Sequence, residues 1–331
     1  MRAAVIVLAW NGAAHLPRCL GALQAQCDAD VAVLVVDNGS IDRSAALVRE
    51  QFPDFELIEN GRNLGFSRGM NVGIRRLQER SEPPEVVVLL NQDTIVASDW
   101  LAQILMPFTH DATIGAVGCK IYYPDGRTIQ HAGKLIDSGR AMSRHFGYGE
   151  RDEGQYDEAR AFDAVTGAAL ALRMSALDEV GLLDEGYSPA YFEDDDLCWR
   201  LRRVGYLVWY APRATLRHVE SSSISDVVRR STLMNRNRLR FVVKTFPADQ
   251  IWTHFWLAER MRMALIPNGG EARTLRRAYF EGHFCMDEWL SARSNYYSVS
   301  KGEARQLRRL CSDLQRKMAV CDRARASGMA S

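Results

Sequence analysis

Val31-Ala32-Val33-Leu34-Val35-Val36-Asp37-Asn38-Gly39-Ser40 is an apolar, β-branched run that stops at a carboxylate and a turn. With no polar position from Val31 to Val36, it reads as a strand buried on both faces. Upstream, Ala3–Ala9 has the same character and ends at Trp10-Asn11-Gly12. Downstream, Val86–Leu90 repeats it and ends at Asn91-Gln92-Asp93-Thr94. Helical spacings lie between them. Leu16, Cys19, Leu20 and Leu23 mark a helix over His15–Gln26, and Ser40 is placed to cap a second through Glu50. Phe55–Glu59 reads as a short strand. Gly61–Gly73 reads as a loop leading into a helix to about Arg80, which Pro83-Pro84 breaks. Such alternation predicts an α/β fold, a mostly parallel sheet covered on both faces with right-handed crossovers. Ligands of these sheets bind beyond the carboxyl ends of the strands. Asn11, Asp37, Asn38, Asn91, Gln92 and Asp93 all fall there.

After Thr94 the rhythm changes. Trp100–Phe108 predicts a helix and Gly115–Tyr123 a strand, while residues 124–160 read as hairpins and loops. Val165–Leu172 predicts a small-residue strand, Asp194–Val204 a helix, and Tyr206–Tyr210 and Ala214–Val219 two strands. From Asp226 onward the pattern is mostly helical, with breaks at Pro247, Pro267 and Gly269-Gly270.

The 331 residues are 47% hydrophobic and 25% charged, which excludes a disordered, collagenous or coiled-coil chain. No apolar run approaches the roughly 20 residues of a membrane span. Seven scattered cysteines without CxxC spacing (19, 27, 119, 198, 285, 311, 321) read as reduced thiols of a cytoplasmic protein. The net charge of +1 hides an asymmetry. Residues 1–225 hold 22 Lys and Arg against 31 Asp and Glu (net −9), and residues 226–331 hold 20 against 10 (net +10). The expected organisation follows that cut. Residues 1–225 form one domain, in two halves of about 1–95 and 96–225 that meet where the strand–helix alternation ends, and 226–331 form a basic helical region.

Four constellations carry chemistry. Asp37 can accept hydrogen bonds from a nucleobase N–H or ribose hydroxyls, although Asp-Asn-Gly-Ser is also an ordinary turn. Gly65, Gly69 and Gly73, four apart, allow a helix to approach a sheet closely. Asp93 at a strand end suits Mg²⁺, which takes one or two carboxylates plus substrate phosphates. Glu193-Asp194-Asp195-Asp196, flanked by Tyr191-Phe192 and Trp199, gathers four acids that raise one another's pKa. Capping a helix needs one or two acids, so a general base against an apolar wall is the stronger reading. His218 ends a strand and, paired with Asp93, can serve as a metal ligand. His131, Arg140, His145 and Asp152 lie in the 124–160 loops, where an acceptor can be held.

These residues, in this order and spacing, resemble the family-2, GT-A-fold glycosyltransferases, especially the rhamnosyltransferase-like bacterial group, over roughly residues 3–245. The resemblance rests on Val35-Val36-Asp37-Asn38-Gly39-Ser40, Asn63-Leu64-Gly65-Phe66, Leu90-Asn91-Gln92-Asp93, Thr166-Gly167-Ala168-Ala169, and Glu193-Asp194-Asp195-Asp196-Leu197-Cys198-Trp199-Arg200 followed by His218. It implies a nucleotide-sugar donor (dTDP-rhamnose or a UDP-sugar), a divalent metal (Mg²⁺ or Mn²⁺) and inversion at the anomeric carbon. By position, Asn11, Asp37, Asn38, Asn63, Gly65, Arg68, Asn71, Asn91 and Gln92 would line the donor. Asp93 and His218 would bind the metal, Asp194 beside Glu193 would be the catalytic base, and His131, His145 and Trp199 would face the acceptor. Asn91 stands where the family's DxD motif has its first acid, which leaves fewer carboxylates for a metal. Asp195 stands where the Glu-Asp motif is usually apolar.

The basic third carries Arg229, Arg230, Arg236, Arg238, Arg240 and Lys244, then Ile251-Trp252-Thr253-His254-Phe255-Trp256. Such a segment can lie on an anionic bilayer at the inner face of the cell membrane, where a lipid-linked glycan acceptor would be met. It can equally cover the catalytic domain or a second copy in a homodimer. Nucleic-acid binding has no reading motif here.

Overall fold

Ala3–Ala9 (β1) and Val31–Asp37 (β2) lie side by side and parallel in the computed structural model, Val5 opposite Val33 and Ala9 opposite Asp37. The structure describes residues 1–26, 31–220, 226–267 and 269–326, side chains to 321; Cys27 lies outside them. The six described cysteines are free thiols.

The chain divides into two compact units. One comprises residues 1–135 and 143–221, the other 136–142 and 222–331. The first runs β1, α1 (Leu16–Gln24), β2, α2 (Ser44–Gln51), β3 (Glu56–Glu59), α3 (Phe66–Gln78), β4 (Val86–Asn91) and β5 (Thr94–Val96). It continues with α4 (Trp100–His110), β6 (Ile114–Tyr122), β7 (Ile129–His131), the start of β8 (Lys134–Asp137), most of β9 (Met142–His145), β10 (Arg160–Ala161) and β11 (Ala169–Arg173). It closes with α5 (Met174–Val180), α6 (Glu193–Arg203) and β12 (Leu207–His218). The main sheet has the order β10-β12-β6-β11-β4-β1-β2-β3, with β5 beside β12 and β7 beside β6. Pairs β1·β2, β1·β4, β2·β3 and β6·β12 are parallel, and β11 inserts antiparallel between β4 and β6. β1, β2 and β4 are almost wholly buried, as their unbroken apolar runs require. Helix α3 packs close to the sheet, because methyl groups at Gly69 and Gly73 would fall 2.6 Å from Leu8 and 2.9 Å from Ile6.

Three local expectations are corrected. Ser40 caps no helix. Its hydroxyl accepts from the Asn11 N–H at 2.9 Å, and α2 starts only at Ser44. The strand expected from Val165 starts at Ala169, because the turn before it turns the Gly167 N–H onto Asp194. Tyr206–Tyr210 and Ala214–Val219 are one strand, β12, whose pairing with β6 shifts register between Ala211 and Thr215. Pro212 lies in that gap, and proline has no N–H for the ladder.

The second unit is helical: α7 (Val227–Thr245), α8 (Ala248–Gln250), a π-helical turn Ile251–Phe255, α9 (Trp256–Leu265), α10 (Gly270–Ser294) and α11 (Lys301–Ala326). Asp226 caps α7, accepting from the Val228 and Arg229 N–H groups at 2.9 and 3.1 Å. Much of the basic stretch turns inward rather than out. Arg238, Arg240 and Lys244 are each 3% exposed. Arg238 pairs with the buried Glu259, which also accepts from the Tyr279 hydroxyl. Arg240 meets Glu288 at 2.7 Å, and the Lys244 ammonium lies over the Tyr296 ring.

Candidate functional site

The end of β2 leaves an unmet acceptor. Asp37 is 3% exposed, and its Oδ2 accepts the Ser40 N–H at 3.0 Å. Its Oδ1 is buried with no protein partner. Buried polar atoms are almost always paired, so this oxygen is an acceptor that a ligand donor could satisfy. Neighbouring amides build the rim. Asn38 donates to Asn63 Oδ1 and the Gly65 carbonyl, and accepts from Asn60 and the Leu64 N–H, so all its capacity holds the 60–65 loop. Gly65, at φ 82°, sits against Pro189 where a methyl would fall 3.0 Å from its carbonyl oxygen. Asn71 bonds Leu183 and Glu185, and Arg68 reaches Glu185 at 2.7 Å. Gln92 brackets Trp10, accepting its N–H at 2.9 Å and donating to its carbonyl at 3.0 Å. Asn11 accepts from the Ile41 N–H. The side chains of Asn38, Asn71 and Gln92 are thus occupied in shaping the floor.

The end of β4 meets the end of β12, since His218 pairs with Thr94 in the β5·β12 register. His218 Nε2 lies 3.1 Å from Asp93 Oδ1 and 3.4 Å from Asn91 Nδ2. Gln130 Nε2 donates to Glu220 at 3.0 Å, so its Oε1 is the atom 2.8 Å from His218 Nδ1. An amide oxygen only accepts, so Nδ1 donates to it and Nε2 is the nitrogen turned to the Asp93 carboxylate. Lone pair against carboxylate is repulsive unless a proton or a cation lies with them. This is the outer-shell arrangement that orients a histidine ligand. Among the described residues no group of three or more His, Cys, Asp or Glu gathers around one point. A divalent ion held by Asp93 and His218 would have to take its remaining ligands from phosphate and water.

The acids at the start of α6 form a second wall of polar groups. Helix α6 follows Tyr191 and Phe192, both left-handed at φ 83° and 75°. Such backbone is costly for aromatic residues, and strain of this kind clusters at functional sites. No side chain caps the helix. Each acid has a different fate. Asp196 accepts from Arg200 at 2.8 Å and the Tyr187 hydroxyl at 3.1 Å, a buried structural pair. Asp194 Oδ2 accepts from Lys134 Nζ at 2.8 Å and the Gly167 N–H at 2.9 Å. Asp195 takes the same ammonium at 2.8 Å and the Ser143 hydroxyl at 2.6 Å. Glu193 Oε2 is buried with no protein partner.

Burial would push Asp194 up, but the Lys134 charge and its hydrogen bonds outweigh it and hold Asp194 below the ordinary carboxylate range. Burial raises Asp195 despite Lys134. Burial, then the charge of Asp194, pushes Glu193 up to about 8. At neutral pH the wall therefore holds an ionised Asp194 beside a protonated Glu193.

Lys134 escaped the sequence reading. Four acids in a row demand a counter-cation, but nothing in the local pattern says which of 42 Lys and Arg supplies it. The acceptor-side histidines meet one another, with His131 Nδ1 3.2 Å from His145 Nδ1. His131 Nε2 accepts the Gly133 N–H, so Nδ1 is the donor to His145. Burial, with Lys134 nearby, lowers His145 to about 4, so both rings stay neutral. Trp199 carries the Arg203 guanidinium 5.3 Å over its ring. Asp152 accepts from the buried Lys120 at 3.0 Å and from the Tyr122 hydroxyl, and Arg140 lies in the helical unit. The two walls are joined directly. Asn91 N–H bonds the Ala168 carbonyl at 2.9 Å, one residue from the Gly167 that holds Asp194.

A family model described as Glycosyl transferase family 2 matches residues 4–181. The uncharacterized protein y4gI of Sinorhizobium fredii is 34% identical over 203 residues, 58% of this chain but 21% of that protein. The N-acetylglucosaminyl-diphospho-decaprenol L-rhamnosyltransferase of Mycobacterium tuberculosis is 29% identical over 236 residues, 66% of this chain and 76% of its own. Among solved structures, the mannosyltransferase PcManGT of Pyrobaculum calidifontis, in complex with GDP-Man and Mn²⁺, superposes with a TM-score of 0.55 at 18% identity, covering 96% of this chain and 86% of that one. The shared architecture is the GT-A fold.

Proposed function

The chain belongs to glycosyl transferase family 2, and from that premise we propose that it is an inverting, metal-dependent transferase that moves a sugar from a nucleotide diphosphate onto a glycan acceptor. The observation that carries this reading is the pair of unmet buried oxygens, Asp37 Oδ1 and Glu193 Oε2, with the 166–168 turn tying the end of β4 to Asp194 beside Glu193. Asp37 accepts from the base or ribose of the donor. Asp93 and His218 would hold a divalent ion, which when bound would supply Lewis-acid neutralisation of the diphosphate. An acceptor hydroxyl attacks the anomeric carbon as the bond to the diphosphate oxygen breaks. The hydroxyl proton passes to Asp194, which is ionised at neutral pH and whose Oδ1 accepts the Asp195 N–H at 2.8 Å. Glu193, protonated, lies beside it at the start of α6. Holding both substrates in one cleft supplies much of the remaining acceleration.

The donor we favour is dTDP-rhamnose and the acceptor a cell-surface or lipid-linked glycan, on the likeness to the mycobacterial rhamnosyltransferase. A UDP-hexose is the alternative donor. No helix among the described residues is long and apolar enough to cross a membrane. Peripheral contact at the cytoplasmic face would use α9, where Leu257, Met261 and Leu265 are 47%, 66% and 82% exposed at helical spacing. A thermal-shift screen of dTDP-, UDP- and GDP-sugars, with and without Mn²⁺, tests the reading. One donor series should raise the melting temperature, more so with metal. No shift with any of them would overturn it.

A further inference from the structure

Lys134 is a cation set among acids. Its side chain is 4% exposed, 2.8 Å from Asp194 Oδ2 and 2.8 Å from Asp195 Oδ1. One ammonium shared by two carboxylates leaves a net negative charge in a poorly solvated place. Such sharing makes the hold on each carboxylate depend on the other. The remaining contacts lock the arrangement. Gly167 and Asp195 N–H groups fix both oxygens of Asp194, and Ser143, from the same hairpin as Lys134, takes Asp195 Oδ2.

We propose that Lys134 is a positioning residue for transfer, holding Asp194 ionised and in one orientation, while Asp195 draws off part of its charge. This rests on Asp194 being the base. It gives Asp195 a task, tempering a lysine that would otherwise bind Asp194 more tightly. The charged and titratable groups facing Asp194 are Lys134 from β8, His145 from β9, and Glu193, Asp195 and Cys198 from α6. His145 is neutral near pH 7 and Cys198 remains a thiol, its pKa raised by burial to about 12, so Lys134 is the cation of this group.

The test uses the full chain with ¹³C-labelled aspartate, titrated by NMR, the Asp194 signal being assigned by its loss in Asp194→Asn. In parallel, dTDP release from dTDP-rhamnose is followed against pH. Lys134→Met should raise the Asp194 midpoint and the acid limb of turnover together, by about 1–3 pH units. Asp195→Asn should lower both, and Lys134→Arg should restore wild-type values. An unmoved midpoint in folded Lys134→Met or in Asp195→Asn overturns the proposal. If Lys134→Met does not fold, Asp195→Asn decides alone. A shifted midpoint with an unmoved acid limb would keep the Lys134 contact and remove Asp194 as the base. If the wild type consumes no nucleotide sugar, the functional reading fails while the NMR arm still reads the contact.

Discussion

The acids at the start of α6 and the cations along α7 are both dense charge runs, and the molecule treats them oppositely. In α7 each buried cation has a counter-charge or ring within its own unit, Glu259 for Arg238, Glu288 for Arg240 and an aromatic ring for Lys244, although Arg238 Nε is left without a hydrogen bond. In α6 two acids share one lysine and a third, Glu193, has an oxygen with no protein partner. A run of like charge therefore says little until its counter-charges are located. Satisfied runs hold a fold together, and a run left short of partners is where a ligand or proton has work to do.

The largest effect that can break this contrast is on catalysis. Asp194→Asn should lower turnover by about 10²–10⁴-fold with donor affinity retained, measured by nucleoside diphosphate release and by calorimetry. Near-wild-type turnover would place α6 with α7 as mere structure. Next is stability. Arg238→Ala leaves Glu259 buried without its main cation and should cost about 3–5 kcal/mol in urea unfolding. A loss below about 1 kcal/mol would mean the α7 pairs behave like surface ones. A third test sharpens the metal side. Gln130→Leu removes the group that fixes His218's proton on Nδ1 and should weaken Mn²⁺ binding about 10–100-fold, read by calorimetry with UDP or dTDP present. Unchanged affinity would detach Gln130 and His218 from the metal.

A fourth test is a pH dependence. Glu193 binds its proton up to about 8 when folded, against 4.5 as its ordinary value. Between those values the folded state holds more protons than the unfolded one, so Glu193 makes stability fall as pH rises. Glu193→Gln should thus gain on the wild type from about pH 5 to about 8 and stay level above that. A constant difference across that range, in melting temperatures, would show that Glu193 is ionised throughout.

The α/β core was legible because burial on both faces leaves an unmistakable apolar run, as in Val31–Val36 and Val86–Leu90. The strand ends were legible for the same reason, since polarity reappears there. What stayed hidden depends on chain segments far apart in sequence. Lys134 lies 60 residues from Asp194 in a loop without periodicity. Asn38 and Gln92 look like ligand contacts in sequence, yet their amides meet the backbone of neighbouring loops. Pro212 falls inside one continuous strand because a register shift absorbs its missing donor. The basic stretch of α7 shows the limit most clearly, since exposure cannot be inferred from charge when Glu259 and Glu288 wait 21 and 48 residues away.

The most direct test of the account is the stereochemistry of transfer. The protein is incubated with its stabilising nucleotide sugar, Mn²⁺ and a glycan acceptor, and the new glycosidic bond is examined by ¹H NMR. A single displacement assisted by Asp194 predicts release of the nucleoside diphosphate and an anomeric configuration inverted from the donor's. A product that keeps the donor's configuration would contradict it.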